Sequence, residues 1–144
     1  MLSAEERLEL LEKTLEELEE LSDQIPVIVE GVRDVAALRK LGITKNVTQF
    51  NKGKSVFRFC EDLSKRSESA IILTDWDRRG GQLARMLKEG LAANGVKVND
   101  KIRIQIVILS KKEVKDIESL PTFIDRLKST PRGIADVRVR GKRI

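Results

Sequence analysis

Histidine and tyrosine are absent from this 144-residue chain, and cysteine occurs once, as Cys60. Without histidine there is no imidazole general base, no imidazole-activated nucleophile and no histidine-containing zinc site. A single cysteine supplies neither an internal disulfide nor a thiolate zinc cluster. Set among Phe57, Phe59 and Leu63, it is expected to be a buried free thiol in a reducing cytoplasm. Aromatic residues are scarce, four Phe and one Trp, which argues against the stacking platforms of single-strand nucleic-acid binders. No apolar run reaches the roughly 18 residues that cross a bilayer. The start, Met1-Leu2-Ser3-Ala4-Glu5-Glu6, lacks the basic residues and apolar stretch of a secretory signal. A cytoplasmic protein with no membrane partner is expected. Any metal it binds must be held mainly by oxygen, which favours Mg²⁺, Mn²⁺ or Ca²⁺.

What is abundant is charge: 35% of residues are Asp, Glu, Lys or Arg, beside 40% hydrophobic, enough for one domain with an ordinary core. The net charge of +5 conceals an asymmetry. Residues 1–24 carry nine acids and two bases, whereas residues 25–144 carry 26 bases and 14 acids, a net of +12. A basic body of this kind suits a polyanionic partner such as nucleic acid.

Residues 1–24 read as an acidic amphipathic helix. Ser3 and Glu6 form a capping box, and Leu8, Leu11, Leu15 and Leu18 make one apolar stripe. The stripe is expected to pack on the protein's own surface, with a homodimer or a partner protein docking there as the alternative. From residue 25 to about 130 the pattern alternates. Strands are expected at Ile25–Val29, Ile43–Phe50, Ala70–Thr74 and Lys101–Leu109. Helices are expected at Val32–Leu41, Ser55–Arg66, Gln82–Asn94 and over most of 111–129, the last broken at Pro121. Strands alternating with helices imply an α/β fold, a four-stranded parallel sheet sandwiched by helices, with functional residues at the carboxyl ends of its strands. Residues 131–144 form a basic tail.

Two strands run straight into acids. Val27-Ile28-Val29 leads to Glu30-Gly31, and Ile71-Ile72-Leu73-Thr74 leads to Asp75-Trp76-Asp77. Both lie on one edge of a parallel sheet, where three unneutralised carboxylates repel unless a cation sits among them. Glu30, Asp75 and Asp77 are therefore read as a Mg²⁺ site, with Mn²⁺ as a substitute. Alternation lets both aspartates lean towards one ion while Trp76 turns away. Gly80 and Gly81 open the following helix and can bring its N–H groups to a phosphate, and Arg78 and Arg79 add cationic donors.

The segments Glu30-Gly31-Val32-Arg33-Asp34 and Asp75-Trp76-Asp77-Arg78-Arg79-Gly80 resemble the two signatures of the Toprim domain, Glu-Gly-x-x-Asp and Asp-x-Asp-x-x-Gly. The likeness spans roughly residues 25–115, so residues 25–130 are taken as the Toprim domain. It is greatest to the small stand-alone Toprim proteins of archaea; topoisomerases, primases and the ribonuclease that matures 5S ribosomal RNA share the domain. The resemblance implies a Rossmann-like four-stranded parallel sheet. It also implies Glu30 as proton-transfer group, able to touch the metal, and Asp75 and Asp77 as holders of Mg²⁺. Asp34 would be an orienting or structural acid. The family often has a small residue or proline where Trp76 stands, and this ring would narrow the site or offer a base-stacking surface. With no tyrosine, topoisomerase-type tyrosyl chemistry is not available to this chain alone.

Other patterns carry less. Lys52-Gly53-Lys54-Ser55 resembles the end of a P-loop, but the required glycine is replaced by Thr48. Lys54 remains a candidate phosphate contact, with a plain capped, solvated loop as the alternative. Haloacid-dehalogenase-type and receiver-type readings of the acidic pair fail on element order. Lys111 and Lys112 could reach a phosphate, and Asp116 and Glu118 either join the acidic site or cap a helix. The tail around Arg138, Arg140, Lys142 and Arg143 suits phosphate-backbone contacts or simple solubilisation. The expected function is Mg²⁺-dependent phosphoryl transfer at nucleic-acid phosphodiesters, a nuclease-like hydrolase of the RNA-processing kind. The alternatives are a non-catalytic nucleic-acid-binding subunit of a larger complex and a hydrolase of small nucleotides.

Overall fold

The computed structural model describes residues 1–50 and 53–130. The basic tail and the Asn51–Lys52 part of the predicted loop lie outside the described residues.

Ser3 starts α1 (Ala4–Ser22) with the predicted capping box: its Oγ accepts the Glu6 N–H at 3.1 Å, and the Glu6 carboxylate accepts the Ser3 N–H at 2.9 Å. The order that follows is β1 (Val27–Val29), α2 (Val32–Lys40), β2 (Val47–Gln49), α3 (Val56–Ser64), β3 (Ser69–Ile72), α4 (Arg78–Ala93), β4 (Lys97–Asn99), α5 (Lys101–Ser110) and α6 (Leu120–Ser129). The four strands form one parallel sheet in the order β2-β1-β3-β4. The expected α/β sandwich is present.

Strand periodicity divides the core into two layers. Val27, Val29, Ile71 and Leu73 point to one face, beneath α1, α2, α5 and α6. Ile28, Ala70 and Ile72 point to the other, where α3 and α4 supply Phe59, Cys60, Leu63, Leu87 and Leu91. Cys60 is the predicted buried free thiol. The leucine stripe of α1 lies against α5 and α6, with Leu11 and Leu18 fully buried. Among the described residues no helix is long and apolar enough to cross a membrane.

One predicted strand is a helix. Lys101–Leu109 was expected as strand four because Ile102, Ile104 and Ile106 alternate and β-branched residues dominate. The fourth strand is Lys97–Asn99, paired with Ser69–Ile71, and α5 follows it. In α5 the buried apolar residues are Ile102, Ile106 and Leu109, a spacing of four and three, while Ile104 and Ile108 are exposed. Tertiary burial at helical spacing overrides β propensity here. Likewise Pro121 does not break a helix but sits in the first turn of α6, where its missing N–H costs nothing. α4 begins at Arg78, earlier than expected, because Asp77 caps it.

Candidate metal and phosphate site

β1 and β3 are adjacent and parallel, with Val27 beside Ile71 and Ile28 beside Ile72. Their acid tips therefore emerge side by side. The Leu73 N–H still donates to Ile28 O at 2.8 Å, so the pairing persists to within two residues of both acids. Beyond it, a Glu30 carboxylate oxygen accepts the backbone N–H of Asp75 at 2.9 Å. Among the described residues the other oxygen of Glu30 has no hydrogen bond.

Asp75 is half-buried. Its Oδ1 accepts the Ile117 N–H at 3.0 Å, and Oδ2 has no hydrogen bond among the described residues. Burial pushes its carboxyl up from 3.8 to about 7, against the stabilising Ile117 N–H; the charges of Asp34, Glu30 and Asp116 add to the rise. Asp34, inside the first turn of α2, accepts the Gly31 N–H at 3.1 Å. Burial raises its carboxyl too, opposed by the Gly31 hydrogen bond and reinforced by Glu30 and Glu118. Its hydrogen bond ties down Gly31, the residue next to Glu30.

Asp77 is exposed and caps α4, its Oδ1 accepting the Gly80 N–H at 2.7 Å. Asp77 O takes the Gly81 N–H at 2.9 Å. The two glycine N–H groups expected to face a phosphate are thus spent on Asp77, because the helix needs its cap. Gly80 serves a different purpose. A Cβ there would run into the carbonyl of Asp75, so only glycine lets α4 start this close to the acid-bearing turn. The Thr74 hydroxyl donates to Gly80 O at 2.9 Å and closes the same turn.

Of the proposed phosphate contacts, Arg78 and Arg79 are exposed at the start of α4. Lys54 is paired with Asp62 at 2.7 Å on α3. Trp76 and the Asp75 carboxylate both reach the segment 114–117, so the expected strand alternation does not extend past β3, and Trp76 is not a free stacking surface. Its indole N–H donates to Val114 O at 2.8 Å, its backbone N–H to Lys115 O at 2.8 Å, and its ring packs against the larger core layer. Asp116 accepts the Ser119 N–H and adds its charge to the site, while Glu118 pairs loosely with Arg33 at 3.7 Å.

Two contributors were missed in the sequence. Residues 114–117 dock on the acid-bearing turn through Trp76 and Asp75. Arg103 of α5 donates to both Thr74 O and Asp75 O. The available signal was a lone base in the apolar run Ile102-Arg103-Ile104, which has a direction only once that run is known to be helical.

The donor set fits a hard cation. It is all oxygen, and Asp34, Glu30 and Asp116 set negative charge around Asp75, with the Arg103 guanidinium as the cation at the same turn. Among the described residues Glu30, Asp75 and Asp77 each keep one oxygen without a hydrogen bond. Among the described residues no three Asp, Glu or Cys side chains form a ready cage.

A model of the Toprim domain matches residues 25–100. The UPF0292 protein of Methanosarcina acetivorans is 42% identical over 124 residues, covering 85% of each chain. That of Methanocaldococcus jannaschii is 41% identical over 121 residues, covering 82% of this chain and 94% of its own. Among solved structures, a protein from Aquifex aeolicus superposes with a TM-score of 0.63 at 31% identity, over 74% of this chain and 94% of that one. The Toprim match includes Glu30, Asp34 and Asp75–Gly81, and stops short of Arg103 and residues 114–117.

Proposed function

The chain belongs to the Toprim family, and from that premise we propose that it is a Mg²⁺-dependent enzyme of phosphodiester cleavage or transfer on nucleic acid. Toprim membership points to metal-dependent, nucleic-acid-related function. The observation that carries the finer reading is the seating of Glu30 on the backbone N–H of Asp75, beside a carboxyl held up at about 7. Perturbed acids gathered at the carboxyl edge of a parallel sheet are a signature of chemistry more than of stability.

In this reading Asp75 and Asp77 hold Mg²⁺ or Mn²⁺, with Glu30 within reach of the ion. The bound ion would polarise a phosphoryl oxygen and offset charge as it develops. Glu30 moves a proton at its unbonded oxygen, to or from the attacking or leaving oxygen of the phosphodiester. Asp34 orients Glu30 through Gly31. Arg78 and Arg79 meet flanking phosphates as exposed cations. With no tyrosine, tyrosyl chemistry is not available to this chain alone, and the nucleophile is water or a group brought by a partner. The net +12 of residues 25–144 supports a polymeric anion, RNA or DNA, as substrate.

The test is incubation with structured RNA and DNA in the presence of Mg²⁺ or Mn²⁺, comparing wild type with E30Q. Cleavage is expected to fall about 10²- to 10⁴-fold in E30Q, with binding retained. Salt-sensitive binding without turnover in either protein would favour the second reading, a non-catalytic nucleic-acid-binding subunit. The lack of a three-carboxylate cage among the described residues supports that reading. Phosphate release without polymer cleavage would move the substrate to a small nucleotide.

A further inference from the structure

Arg103 is a half-buried guanidinium in the first turn of α5, and it makes no ion pair among the described residues. Its two hydrogen bonds go to main-chain carbonyls: Nε donates to Thr74 O at 2.9 Å and Nη2 to Asp75 O at 2.7 Å. Nε–H and the adjacent Nη2–H lie on one edge of the planar group, so this is a bidentate grip on two consecutive carbonyls. In an extended strand consecutive carbonyls point opposite ways. Here both face one guanidinium, so the chain has turned out of β3 at the residue that bears the acid.

Asp75 is consequently tied on three sides by three different elements. Its N–H is bonded to Glu30 after β1, its C=O to Arg103 in α5, and its Oδ1 to Ile117 before α6. What remains free among the described residues is Oδ2. We infer that Arg103 is a positioning residue: its fork fixes the Thr74–Asp75 turn, and thereby presents the free oxygen of Asp75 beside Glu30. The value of this to a cation rests on the metal-site reading above; the fixing of the turn does not. Burial draws the guanidinium below the usual arginine range, while Asp75, Glu30, Asp100 and Asp77 oppose that pull and keep it charged. A lysine would retain the charge but could not grip both carbonyls in one plane.

R103K therefore separates geometry from charge. Amide exchange is followed by NMR in metal-free protein, and Mn²⁺ binding by calorimetry. The expected result in R103K is exchange at least about tenfold faster at the Asp75, Trp76 and Ile117 amides, with α1 and α3 unchanged; the affinity for Mn²⁺ falls about tenfold. R103Q, which also loses the charge, should loosen the same amides. In wild type the Arg103 Nε–H should itself give a slowly exchanging signal, which needs no variant to fold. Unchanged local exchange in R103K, a uniform acceleration throughout the protein, or a rapidly exchanging Nε–H in wild type would each overturn the inference. Local loosening in R103K together with no Mn²⁺ binding by wild type would support the fixed turn and sink the metal-site reading instead.

Discussion

Replacing Asp75 with asparagine should stabilise the metal-free protein, increasingly so as pH rises. In the unfolded chain the Asp75 carboxyl loses its proton near 3.8, whereas in the folded protein it does so at about 7. Between those values the folded state holds a proton that the unfolded state does not. Stability therefore drops as pH rises through this window, and the penalty is complete above about pH 7. Carrying a carboxyl from 3.8 to about 7 sets a ceiling of about 4 kcal/mol. Asp75 is only half-buried, so solvent screening brings the expectation to about 1–2 kcal/mol. In a domain of this size that is about 3–7 °C in Tm. Asparagine titrates nowhere in the range and keeps an oxygen for the Ile117 N–H, so D75N removes the charge without opening the loop. Wild type and D75N are compared by thermal and urea unfolding from pH 4 to pH 8 in chelator. The two should be close at pH 4 and diverge by pH 8, D75N being the more stable. Millimolar Mg²⁺ should then raise the Tm of wild type at pH 8, because a bound cation stabilises the ionised carboxyl, and leave D75N unmoved. A stability difference that does not widen with pH would refute the account of Asp75 as an acid held up by burial and its neighbours.

Three further substitutions test the surroundings of the site. Alanine is favoured over glycine in helices by about 1 kcal/mol, yet G80A should destabilise by about 1–3 kcal/mol in urea unfolding, since its Cβ meets the Asp75 carbonyl. W76F should cost about 1 kcal/mol for the lost bond to Val114 O and speed amide exchange across residues 114–117; unchanged exchange there would show that the indole does not hold the segment. L18A should cost about 2–5 kcal/mol, because Leu18 is wholly buried beneath the sheet. A loss well below that range would mean that α1 is only loosely attached.

Much of this protein is readable without coordinates. Apolar runs ending in Glu30 and in Asp75-Trp76-Asp77, each followed by a helical pattern, determine two parallel strands tipped with acid. The absence of histidine restricts any metal to oxygen ligands, and the Ser3–Glu6 pair marks where α1 begins. These features are local: a strand's period, a cap's spacing and a donor's chemistry depend on residues close in sequence. The tertiary structure decided what depends on partners far along the chain. Lys101–Ser110 is helical because α1 and the sheet cover it every three to four residues, although its alternating isoleucines suit a strand equally well. One oxygen of Asp77 is taken up by the cap of α4, and Trp76 is committed to Val114 and Lys115. Arg103 reaches the acid-bearing turn from 28 residues away. The pull of burial on Asp75, with the charges of Asp34, Glu30 and Asp116 added, likewise exists only once the fold has gathered them. Short-range order is written in neighbouring residues, whereas the electrostatics of a site come from side chains that only the folded chain brings together.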